Sequence, residues 1–136
     1  MSSDDVRLLV ALRLQNAEES LADARILQAG GGSGRSVVNR AYYSMFYCVL
    51  ALLQTIGRVP RKHQGAISLF DAEFVHKGLL PRELSAELHA AFVARQADDY
   101  RVTEPVSVED ARAAIDAASQ FLDAVRGYLN NCSPSS

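Results

Sequence analysis

The chain has 136 residues, nearly half of them hydrophobic, and a formal net charge of −2. That length serves one domain with a single core, and the composition excludes disorder as the overall state. The near-neutral balance excludes a global positive field for nucleic acid, so any RNA contact must be local.

Helical spacing dominates, and no segment alternates convincingly at period two. The first helix is predicted over about residues 5–28, where Leu14, Ala17, Leu21, Ala24 and Leu27 draw one apolar stripe. "AGGGSG" (29–34) ends it, because clustered glycines favour a turn. A second helix over about 35–56 contains "NRAYYSMFYCVLALL" (39–53), the most apolar stretch in the chain. Being apolar nearly all round, it should be the central helix. Gly57 suits the position just past its end, and "RVPRK" makes a short loop around Pro60.

A third helix is predicted over about 63–77, with Ile67, Phe70 and Phe74 inward and Gly78 as its stop. Pro81 suits the first position of a fourth, with Leu84, Leu88 and Phe92 inward and an end near Asp99 or Tyr100. Ser107 followed by Asp110 resembles a capping box with Asp in place of Glu. The fifth helix runs to about 129 and turns Ala111, Ala114, Ile115, Ala118, Leu122, Val125 and Leu129 inward, before the frayed "NNCSPSS". The expected fold is an all-α, up-and-down bundle of about five helices: one domain over 1–130, with a disordered tail over 131–136.

The two cysteines, Cys48 and Cys132, exclude a disulfide framework and read as a cytoplasmic protein. The acidic start "MSSDDVRLL" has no signal-peptide pattern, and residues 41–56 are too short and too interrupted by polar groups to span a membrane. Neither Cys has a neighbour at metal spacing, and "GGGSG" lacks the Lys-Ser/Thr of a phosphate loop, so no metal and no cofactor are expected.

Three stretches carry polar groups that need a reason. At 100° per residue, Arg40, Tyr43, Ser44 and Tyr47 share one face of the second helix, while Tyr42, Met45, Phe46, Val49 and Leu53 form the core face. The first set is either a buried arginine satisfied by tyrosines and carbonyls, or the lining of a cleft. In "RQADDYR", Arg95 and Asp99 stand at i and i+4, in the weaker orientation for an ion pair. Asp98 and Asp99 also crowd a helix C-terminus, where the dipole disfavours anions. That end is either solvated or functional. "RVPRKH" offers Arg58, Arg61, Lys62 and His63 before a helix N-terminus, as a solvated basic loop or an anion site. His76 and His89 have no motif around them and read as surface residues.

Taken together, "NRAYYSMFY", "KHQGAISLF", "FVHKGLLP" and "RQADDY" resemble the HEPN superfamily of small helical bundles, over about residues 17–121. The resemblance implies a homodimer packed along the motif-bearing helices. It also implies a minimal nucleotidyltransferase as partner in a toxin–antitoxin pair. In active members an Arg-x4–6-His motif cleaves RNA without metal. Arg95 matches the motif arginine, but Asp99 and Tyr100 stand where the His is expected, and Tyr47 replaces a His often found after the Met-Phe. Without that imidazole, acid–base chemistry near pH 7 loses its best-suited group, unless His63 enters from the neighbouring loop.

Two functions follow from the resemblance. One is a module that binds nucleotide, RNA or its partner through Arg40, Tyr43, Tyr47 and His63, beside Arg95, Asp99 and Tyr100. The other is an RNA-cleaving toxin using Arg95 with Asp99, Tyr100 or His63. A structural dimer without ligand is the plain alternative. Tyr100 is also the expected acceptor if the nucleotidyltransferase modifies this chain.

Overall fold

The computed structural model describes residues 3–98 and 105–132. Among them the chain is all helical, with no strand: α1 (Ser3–Ala29), α2 (Gly34–Thr55), α3 (His63–Phe70), a π-helical turn (Asp71–Val75), α4 (Arg82–Asp98) and α5 (Val108–Cys132).

The apolar run makes α2 the axis of the bundle, and α1, α3, α4 and α5 all pack on it. Tyr42, Met45, Phe46, Val49 and Leu53 are buried there, as the helical spacing requires. Ser33 caps the helix by accepting a hydrogen bond from the Ser36 N–H at 3.1 Å. At its other end Gly57 takes a φ of 71°, which an L side chain rarely adopts, and the Arg58 N–H closes onto the Leu53 carbonyl.

Ser44 does not join the half-exposed face. It is fully buried and donates to the Ala17 carbonyl at 2.8 Å. The helices pack closely there, and small side chains are buried on both: Ala17, Ser20 and Ala24 on α1, Ser44 and Cys48 on α2. A buried hydroxyl there needs a carbonyl partner, and the neighbouring helix supplies it. Burial also pushes the Cys48 thiol far above its ordinary pKa and leaves it protonated.

The predicted third helix is broken. After Phe70 the hydrogen bonding widens to the π pattern, with the His76 N–H reaching the Asp71 carbonyl at 2.8 Å. Phe70 and Phe74 still face the core, stacked 6.3 Å apart. Asp71 points at α4, where one carboxylate oxygen accepts from Ser85 at 2.7 Å and the other meets His89 Nε2 at 2.6 Å. His89 is therefore no idle surface residue; it ties the π turn to α4.

On α5, Ala111, Ile115, Ala118, Leu122 and Val125 are buried, as is Phe121, which fills the core beside Phe70. Ala114 and Ala117 instead face a cavity of about 350 Å³ that separates α4 from α5, with Tyr42 and Met45 on its α2 side. No helix among the described residues is long and apolar enough to cross a membrane.

Candidate functional site

Three elements converge beside the N-terminal half of α2. Arg40, Tyr43 and Tyr47, at i, i+3 and i+7, form a half-exposed stripe along that helix. From α4, Arg95 lays its guanidinium 5.4 Å from the Tyr42 ring centre and 5.3 Å from that of Tyr43. It also donates to the Tyr43 hydroxyl at 3.2 Å. Arg40 approaches the same Tyr43 ring, 5.0 Å from its centre, and donates to the Asn39 side-chain oxygen. Both cations thus rest on aromatic faces, an attraction of about 0.5–2 kcal/mol each that does not by itself neutralise the charge.

His63, the first residue of α3, arrives from the loop. Its ring stacks on Phe46 with centres 4.0 Å apart and planes 12° apart, and its Nδ1 lies 2.7 Å from the Tyr42 hydroxyl. Burial, and then the charge of Arg95, lower its pKa from 6.5, so the imidazole is neutral at pH 7. Burial pushes the Tyr42 phenol far up, against a smaller opposite pull from Arg95. The result is a neutral imidazole and two phenols around an arginine whose contacts, among the described residues, are tyrosines rather than carboxylates. Such a site draws anions and offers them planar donors.

Arg95, Tyr43, Arg40 and His63 are therefore brought together. Tyr47 stands one ring further along the stripe, 6.1 Å from Tyr43, in a groove it shares with Glu19, Ser20 and Asp23 of α1. Asp99 and Tyr100, and with them the i, i+4 pairing of Arg95 with Asp99, lie outside the described residues. Of the "RVPRKH" group only His63 reaches the cleft; Arg58, Arg61 and Lys62 are exposed.

Sequence reasoning missed Tyr42 and Phe46, both assigned to the core alone. They are core residues, but Phe46 is also the stacking platform of His63, and Tyr42 holds its Nδ1. One signal was available for Tyr42. A buried tyrosine needs a partner for its hydroxyl, and nothing else on its own helix face could provide one.

The chain is 39% identical over 92 residues to "Putative toxin MJ0142" of Methanocaldococcus jannaschii, a match covering 68% of this chain and 63% of that protein, less than two thirds of its length. It is 36% identical over 117 residues to a "UPF0332 protein" of Thermotoga maritima, covering 86% of this chain and 88% of the relative. It is 32% identical over 125 residues to "Putative toxin MJ0605" of M. jannaschii, 92% of each. The HEPN domain matches residues 10–128, and with that span, the helical bundle and these relatives, the chain belongs to the HEPN family.

Proposed function

We propose that the cleft formed by Arg95, Tyr43, Tyr42 and His63 binds the phosphate of a nucleotide or RNA, in a toxin-like HEPN protein that pairs with a minimal nucleotidyltransferase. The observation that carries this reading is the guanidinium of Arg95, held on two tyrosine rings beside a neutral imidazole. Among the described residues its contacts are tyrosines rather than a carboxylate, and in this proposal its charge is met by the arriving phosphate. Tyr43 and Tyr47, half-exposed, offer faces for bases to stack on. The toxin names of the two M. jannaschii relatives support the setting.

The protein acts as a homodimer in this proposal. The surface along the α2 stripe changes sign, with Arg40 at one end and Glu19 and Asp23 of α1 lining the groove beside Tyr47. A surface of that kind complements a second copy of itself about a two-fold axis. Tyr100 is kept as the residue the nucleotidyltransferase modifies.

A second reading, metal-independent RNA cleavage, is favoured by the presence of His63 beside Arg95, which answers the missing histidine of the Arg-x4–6-His motif. Arg95 would stabilise charge on the phosphate and His63 would move the proton. Expression in a bacterial host without the partner separates the readings. Growth arrest that is lost in both Arg95→Ala and His63→Gln, with folding intact, supports cleavage. No arrest, with Arg95-dependent retention of AMP or a short single-stranded RNA, supports binding. If Arg95→Ala changes neither growth nor retention, the cleft has no ligand and the proposal fails.

A further inference from the structure

We infer that Tyr42 fixes His63 as its neutral Nε2–H tautomer, so that the cleft offers its ligand two donors, the Arg95 guanidinium and the His63 Nε2–H, and selects phosphoester oxygens. The inference rests on the phosphate-binding reading above and goes further, by assigning the proton and a positioning role to a residue of the core.

Tyr42 is fully buried, so its hydroxyl must be satisfied inside the protein. Among the described residues, the acceptor within reach is Nδ1 of His63, at 2.7 Å. The phenol ring cannot turn away to find another. Tyr43 meets it edge-on at 5.4 Å, Phe46 stacks at 6.0 Å and Phe92 closes in at 6.0 Å.

Two proton placements are possible for such a pair. If Nδ1–H donated to the phenol oxygen, the Tyr42 O–H would be left buried with no acceptor among the described residues. If the phenol donates to Nδ1, both groups are satisfied and the imidazole carries its proton on Nε2. The second placement wins because only the first strands a donor.

A further proton on the ring would make an imidazolium beside Arg95, which the guanidinium charge opposes. The phenol in turn keeps its proton, because burial disfavours the phenolate. His63 thus stays neutral, its ring held flat against Phe46 and its Nδ1 committed to Tyr42, and in this proposal Nε2 is the nitrogen that meets the ligand. A ring in that state donates a hydrogen bond. It does not abstract a proton, since the nitrogen that would take it already carries one. This separates the two readings above in favour of binding. It also makes the ligand's acceptors the selected feature. Phosphoester oxygens fit a guanidinium and an N–H together, and an amine or a cation does not.

The test is long-range proton–nitrogen NMR on the full-length, 15N-labelled protein near pH 7.5, with His63→Gln used to assign the ring. Wild type should show His63 with an unprotonated Nδ1 and a protonated Nε2. Tyr42→Phe, which removes only an oxygen, should convert this to an averaged pattern of both tautomers. AMP, the probe ligand, should shift the Nε2–H resonance in wild type and lose that shift in Arg95→Ala. A protonated Nδ1 in wild type overturns the tautomer assignment, even if AMP still binds through Arg95. An Nε2–H ring that AMP does not perturb overturns the phosphate-binding reading and with it the selection. Should Tyr42→Phe fail to fold, the wild-type pattern alone decides the tautomer.

Discussion

Two of the histidines are held against an oxygen, and their surroundings give them different work. His89 on α4 meets the Asp71 carboxylate at 2.6 Å, and Ser85 completes that carboxylate's hydrogen bonding. Both carboxylate oxygens in this cluster have a partner, and the charge facing the imidazole is negative. His63 meets a phenol instead, under the field of Arg95. Here the fixed charge is positive, and among the described residues the groups it rests on are aromatic rings rather than carboxylates. The first arrangement closes on itself and fastens the π turn to α4. The second leaves positive potential and donors facing a half-exposed cleft. A histidine bonded to oxygen is therefore uninformative by itself; the sign and neutralisation of the nearest charge distinguish a tether from a binding site.

The largest expected break in this comparison comes at Phe46, which belongs to both the core and the cleft. Phe46→Asp places an unpaired charge between α2 and His63 and should destabilise by about 3 kcal/mol or more. Thermal unfolding followed by circular dichroism checks it, and an unchanged midpoint would remove α2 from the centre of the fold. Next is the tether. Asp71→Ala leaves Ser85 and His89 without their shared acceptor and should cost about 1–2 kcal/mol by urea unfolding. It should do so without altering ligand binding in the cleft. A loss of binding in Asp71→Ala would merge the two regions that the charge argument separates.

Smaller still is the pH dependence of His63. Its pKa is lowered from 6.5 in the folded state, so below that pH the unfolded chain binds more protons than the folded one. Stability from this residue is present above about pH 6.5 and is lost as pH falls from there through the folded value. The drop in urea midpoint between about pH 7.5 and pH 5.5 should be smaller in His63→Gln than in wild type. An equal drop in both would assign the acid sensitivity elsewhere.

How far the sequence reached follows the range of the interactions involved. The apolar run of α2, its stop at Gly57 and the inward faces of α1, α4 and α5 depend on local spacing, and local spacing was readable. The break after Phe70 was not, because nothing in "DAEFV" departs from an ordinary helical pattern. Its partner residues, Ser85 and His89, lie 14 and 18 positions away. Ser44 was misplaced for a related reason: a helical wheel gives direction but not how closely the next helix approaches. At the cleft, Arg95 is a candidate from motif resemblance and Tyr43 from the helix face it shares with Arg40, and their contact spans 52 positions. His63 was a candidate with no location. Its place is set by Phe46 and Tyr42, whose second role shows only when α3 folds back onto α2.

The positive cleft should take an anion that the tether does not. Calorimetric titration of AMP into wild type, Arg95→Ala and Asp71→Ala, at matched low salt and with folding confirmed, addresses this directly. Saturable binding should appear in wild type and persist in Asp71→Ala. It should weaken at least about tenfold in Arg95→Ala, as loss of a charge-assisted donor implies. Equal affinity in all three proteins, or no binding in any, would contradict the claim that Arg95 and His63 form a phosphate site.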